Sequence, residues 1–185
     1  MIIGYTISIQ NHYNTYFFNG NEPKGILCPK CGSCLDYSYS PKFMDIEPSK
    51  KYDAAYTHDL RDLFSERFFI FCRDVLKIGH IFNPIRTRGE VVYYMFPTRI
   101  LEFDYVRRET RFDRVCEQCG GYSDITGATP VFLKNHKPIE AGFFRTDIAF
   151  GSGRSKSTLI LFGMEWKRLL VSQKFKGIYF REILN

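Results

Sequence analysis

The sequence predicts an α+β fold: a mixed or antiparallel sheet, two main helices, and a zinc-ribbon-like four-cysteine site formed by two distant knuckles. Three observations carry this expectation. Short alternating or apolar runs rich in β-branched and aromatic residues recur along the chain, as strands require. Two segments instead space their apolar residues by three and four, the period of a helix. Cysteines fall in two Cys-x-x-Cys pairs, each followed by glycine: Cys28 and Cys31, then Cys116 and Cys119. The 185 residues, 44% hydrophobic and 25% charged, suit a single domain over 1–185. With 18 Phe and 12 Tyr, large rings are available to fill its core.

Taken in order, residues 2–9 (IIGYTISI) read as a first strand, and NGNEPKG at 19–25 is turn chemistry leading into the first knuckle at 26–34. Residues 37–51 are rich in Ser, Pro and Lys without a period, so an extended loop is expected. Leu60, Leu63, Phe64, Phe68, Phe71, Val75 and Ile78 then predict the strongest helix. Asp59 is its expected N-cap, Asp62 complements its positive end, and Gly79 stops it. Cys72, inside this stripe, reads as a small buried hydrophobe.

A loop over 80–90 leads to a strand at 91–96. A half-exposed strand around Leu101, Phe103 and Tyr105 approaches the second knuckle at 115–121. The tail reads strand (141–151), polar loop, buried strand (157–163), helix (164–177) and closing strand (178–184). The helix-containing stretch 35–114 is therefore an insertion between the knuckles.

The knuckles have a common physical logic. Two thiolates three residues apart grip one ion from a tight turn, and the following glycine takes the positive φ that lets the loop curl. Simple zinc ribbons set their pairs about 15 to 20 residues apart; here residues 32–115 intervene. Cys28, Cys31, Cys116 and Cys119 are the expected ligands of a structural zinc, which four thiolates would saturate. Because Cys31-Gly-Ser-Cys34 is also Cys-x-x-Cys, Cys34 is the alternative ligand. No helix is expected directly after either pair, which argues against redox chemistry.

Other chemistry finds little support. GSGRSKST at 151–158 lacks the glycine order of a phosphate loop and precedes a strand, so it reads as a hairpin loop. The four histidines (His12, His58, His80, His136) have no ligand spacing to one another, and His80 with Asp59 makes no convincing acid–base pair. No catalytic residues are expected, and the chain reads as no enzyme. It lacks an apolar run long enough to span a membrane and a signal-peptide pattern. With its reduced thiols, this points to a cytoplasmic protein. The net charge is +6, and residues 151–185 hold seven basic side chains against two acidic ones. Such an excess favours acidic partners, either a protein surface or nucleic acid.

CPKCG, RRETRFDRVCEQCGG and the tail from FFRTDIAFG to GIYFREI together resemble the double-CxxCG motif family of bacterial immunity proteins; IGHIFNPIRTRGEVVYYMF matches it more weakly. The resemblance implies a non-catalytic protein that binds and neutralises a cognate toxin encoded nearby. The alternative is a zinc-stabilised nucleic-acid-binding protein. Tyr37, Tyr39, Tyr52, Tyr56, Arg86 and Arg88, in the loops 37–57 and 80–90, are candidate contacts; the residues that bind the partner are otherwise unknown.

Overall fold

In the computed structural model, which describes residues 1–185, eleven strands and three helices follow one another along the chain. They are β1 (Ile2–Ile9), β2 (Ala54–Tyr56), β3 (Asp62–Phe64), α1 (Glu66–Asp74), β4 (Phe82–Ile85) and β5 (Val92–Met95). Next come β6 (Ile100–Leu101), α2 (Tyr105–Arg108), β7 (Arg111–Val115), β8 (Tyr122–Thr126) and β9 (Phe143–Ser152). The chain closes with β10 (Ser157–Phe162), α3 (Met164–Ser172) and β11 (Ile178–Leu184). The larger sheet runs β11-β1-β10-β9-β8-β7, with the short β6 parallel to β9. The smaller is antiparallel, in the order β2-β3-β5-β4. The predicted α+β class holds, with α1 and α3 as its two main helices.

Through β1, β9 and β10 the larger sheet is buried on both faces, which explains the uninterrupted apolar run of β10. Ile7, Phe143, Ile160 and Phe162 join Phe68, Phe71 and Leu170, from α1 and α3, in one core. Ile3, Phe144, Leu161 and Ile183 face the other way, onto Phe103, Val131, Leu133 and Ile139. A register shift near the start of β1, between Ile2 and Gly4, lets Ile3 and Ile7 serve opposite faces. A third core gathers Phe17, Phe18, Cys34, Leu63, Ile85 and Tyr94 beside the first knuckle. No helix is long and apolar enough to cross a membrane.

The four tail elements form in the predicted order, with α3 ending at Ser172 and not at 177, but the long helix does not form as predicted. Residues 62–64 are strand, because Leu63 enters the third core while Phe64 enters the first. Leu60 sits in the left-handed region at φ 55°, and Lys77 likewise at φ 59°, so the helix starts after one and ends before the other. Its N-cap is Ser65, whose hydroxyl accepts from the Phe68 N–H at 3.2 Å. Asp59 is no cap. Its carboxylate is fully buried, accepting the Phe17 and Phe18 N–H groups at 2.8 Å each and the Thr57 hydroxyl at 2.6 Å. Gly79 opens a 3₁₀ turn instead of ending α1.

Three further differences concern strands. The expected loop 80–90 contains β4, an edge strand that tolerates Pro84. Around 101–105 only β6 and a bridge from Phe103 to Leu133 are extended, and Tyr105 begins α2. β8, immediately after the second knuckle, has no counterpart in the sequence reading.

Candidate metal centre

The two knuckles share one backbone pattern. In the first, the Cys28 N–H donates to the Ser33 carbonyl and the Gly32 N–H to the Cys28 carbonyl, both at 2.8 Å. In the second, Cys116 donates to the Gly121 carbonyl and Gly120 to the Cys116 carbonyl, again both at 2.8 Å. Gly32 and Gly120 have φ of +71° and +70°, the left-handed conformation the turn requires of its fourth residue after the first cysteine. Flanking residues pair across each turn, Leu27 with Cys34 and Val115 with Tyr122. The two turns are thus local copies of one another, the second carried at the β7–β8 junction.

They meet face to face. Cys28 Sγ lies 3.8 Å from Cys116 Sγ, and Cys31 Sγ 3.7 Å from Cys119 Sγ. All four sulfurs fall within 4.8 Å of one another, and none is in a disulfide. With zinc–sulfur bonds of about 2.3 Å, a tetrahedron of thiolates has edges of about 3.8 Å. The donor set therefore fits a four-coordinate, sulfur-preferring ion with no position left for substrate. A chain segment from each side of the 32–115 stretch supplies half of it.

The local electrostatics suit a cation at this point. The Ser33 hydroxyl, 3.2 Å from Cys31 Sγ, chiefly pulls that thiol down to about 6. Backbone N–H groups of Cys119 and Gln118 lower the Cys116 thiol. At Cys119 the Gly121 N–H favours the thiolate, but burial and the neighbouring thiols outweigh it and push the group up to about 11. Several thiolates this close repel one another unless a cation sits among them. Lys30 and Glu117 form an exposed ion pair between the two turns.

Cys34 stays out of the cluster. Its thiol donates to the Asp36 carbonyl at 3.3 Å, and its side chain is packed in the third core. Cys72 is fully buried in the first core, where burial raises its thiol, in keeping with a plain apolar role. The polar loop at 151–158 forms the β9–β10 hairpin and packs against the first knuckle: a Cβ on Gly153 would lie 3.3 Å from the Cys31 carbonyl. An open groove of about 940 Å³ beside the centre is lined by Lys30, Arg114, Arg154, Glu117 and Asp124 among others.

The remaining candidates separate. Tyr37 and Tyr39 pack against the third core, and Arg88 pairs with Asp45 at 2.6 Å. Tyr52 and Arg86 are exposed and Tyr56 half-buried. His80 is exposed on its 3₁₀ turn while Asp59 is consumed by backbone donors, so neither serves the other. The sequence reading recognised the shared glycine but missed that the match extends one residue further. The signal was the residue pair five positions apart, Cys28 to Ser33 and Cys116 to Gly121, which closes each turn. No family model, curated protein or solved structure matches this chain.

Proposed function

We propose that this chain is an immunity protein: a cytoplasmic, non-catalytic protein that binds and neutralises a cognate bacterial toxin, its fold clasped by one structural zinc at Cys28, Cys31, Cys116 and Cys119. The observation that supports it is the joining of two matched Cys-x-x-Cys-Gly turns into one thiolate cluster. That doubled motif is the feature on which the resemblance to the double-CxxCG immunity proteins rests. A saturated tetrathiolate also fits a holding role better than a reacting one, since catalytic zinc keeps an open position. Binding by occlusion asks the protein for a rigid surface, and closing two distant segments onto one ion supplies rigidity.

The experiment is genetic and biochemical. The toxin encoded beside this chain should stop growth when expressed alone and permit it when this chain is co-expressed, and the two proteins should co-purify. Growth arrest that this chain does not relieve, with no complex formed, would sink the proposal.

A further inference from the structure

Outside the cysteine centre, one exposed feature is built from three separate parts of the chain. Tyr56, His12, His58 and Tyr16 stand in a row, with successive ring centroids 5.0, 4.5 and 4.8 Å apart, and the Arg154 guanidinium lies 4.4 Å over the Tyr16 ring. His12, His58, Tyr16 and Arg154 are all exposed and Tyr56 is half-buried. We propose that this row is a preformed docking surface for a protein segment that carries carboxylates.

The row is held from beneath. Residues 11–15 lie along 56–58 through three backbone bonds: Tyr56 N–H to the Asn11 carbonyl, Tyr13 N–H to the Tyr56 carbonyl, and His58 N–H to the Thr15 carbonyl. Asn14 Oδ1 is 3.0 Å from His58 Nε2. The buried Arg61 side chain donates to the Arg154 carbonyl, fixing the far end. Aromatic and arginine side chains held in place before binding are what the energetic centres of interfaces are made of, because little side-chain freedom remains to be lost.

Charge selects the partner. Arg154 is in none of the chain's ion pairs, whereas Lys30 and Arg114, which line the same groove, are matched by Glu117 and Asp124. The row therefore ends on a guanidinium without a carboxylate, on a chain of net charge +6. A carboxylate from a partner completes it bidentately. Ring geometry favours protein over nucleic acid. His12 and His58 each have a ring on two sides, and Tyr16 has a ring and a guanidinium. Single-strand binding proteins present free ring faces to bases. Here the rings lean on one another at 51°, 58° and 47°, so each already has a neighbour where a base would have to stack.

This inference rests on the reading of the chain as a protein-binding module, and it can be tested apart from the toxin. Only four histidines are present, so His12 and His58 can be followed by NMR with His80 and His136 as internal controls. A short oligoglutamate peptide added to the metal-loaded protein should move the ring signals of His12 and His58 but not those of His80 and His136. Tyr16→Ala and Arg154→Glu should each weaken that binding about tenfold or more, with metal content and melting temperature unchanged. Tighter binding of an oligothymidylate strand at the same two histidines overturns the proposal in favour of nucleic acid. Silence of both probes, or equal movement of all four histidines, overturns it outright. If the toxin is neutralised equally well by the Tyr16 and Arg154 variants, the row fails while the immunity reading stands. If the peptide binds the row but growth is not rescued, the toxin assignment fails alone.

Discussion

Asp59 shows how a single residue can be placed correctly in sequence and wrongly in space. An acid before an apolar periodic run is good grounds for an N-cap, and a cap is worth about 1 kcal/mol. Its real partners are the Phe17 and Phe18 N–H groups, which lie 42 and 41 positions away and which no local pattern announces. As a fully buried carboxylate it satisfies two backbone donors and a hydroxyl, so removing it strands both N–H groups and leaves the hydroxyl only a long contact to the Arg61 carbonyl. Asp59→Ala should therefore cost about 3 kcal/mol or more, measured by denaturant unfolding of the metal-loaded protein. A loss near 1 kcal/mol would instead return it to the role of a helix cap. The metal cysteines were legible for the opposite reason. Each turn is written in six consecutive residues, and only their meeting is long-range.

Elements were legible where one secondary-structure period runs the length of a segment. From β9 to β11 each segment keeps its period and is bounded by glycine or polar residues, so sequence reasoning found all four. The segment 60–78 breaks that condition: it turns from strand to helix at Ser65, and the spacing of Leu60, Leu63, Phe64 and Phe68 imitates one helix across the break by coincidence. The predicted stripe treats Phe68 and Val75 as equals, yet Phe68 is fully buried against Phe64, Phe82 and Phe175 while Val75 is 53% exposed. Phe68→Ala should destabilise by about 3–5 kcal/mol. Val75→Ala, with little surface to lose, should stay within about 0.5 kcal/mol of the parent. Equal losses from the two variants would mean that α1 extends past Asp74 and buries its last turn.

At the scale of the whole molecule, the cysteine centre joins parts with unequal support. The larger sheet is packed on both faces through β1, β9 and β10, and the thiolate ligands belong to none of its cores. The β7–β8 arm has less backing: β8 pairs with β9 and rests Ile125 on the second core, but β7 is exposed at every residue except Phe112, which is itself only half-buried. If an ion fills the centre, the position of β7 on the first knuckle should depend on it, since four unscreened thiolates would push the turns apart. Purified protein should carry one zinc per chain, and Cys34→Ser should keep it, because that thiol is bonded elsewhere. Stripping the metal under reducing conditions, or Cys116→Ser, should cost about 3 kcal/mol or more, a fall in melting temperature of roughly 6–12 °C for a chain of this size. Hydrogen exchange locates the loss: amides of 26–34 and 111–126 should lose protection, while those of β1 and β10 keep most of theirs. Uniform loss across the sheet would show that the centre supports the entire fold. No change anywhere would remove the metal from its architecture.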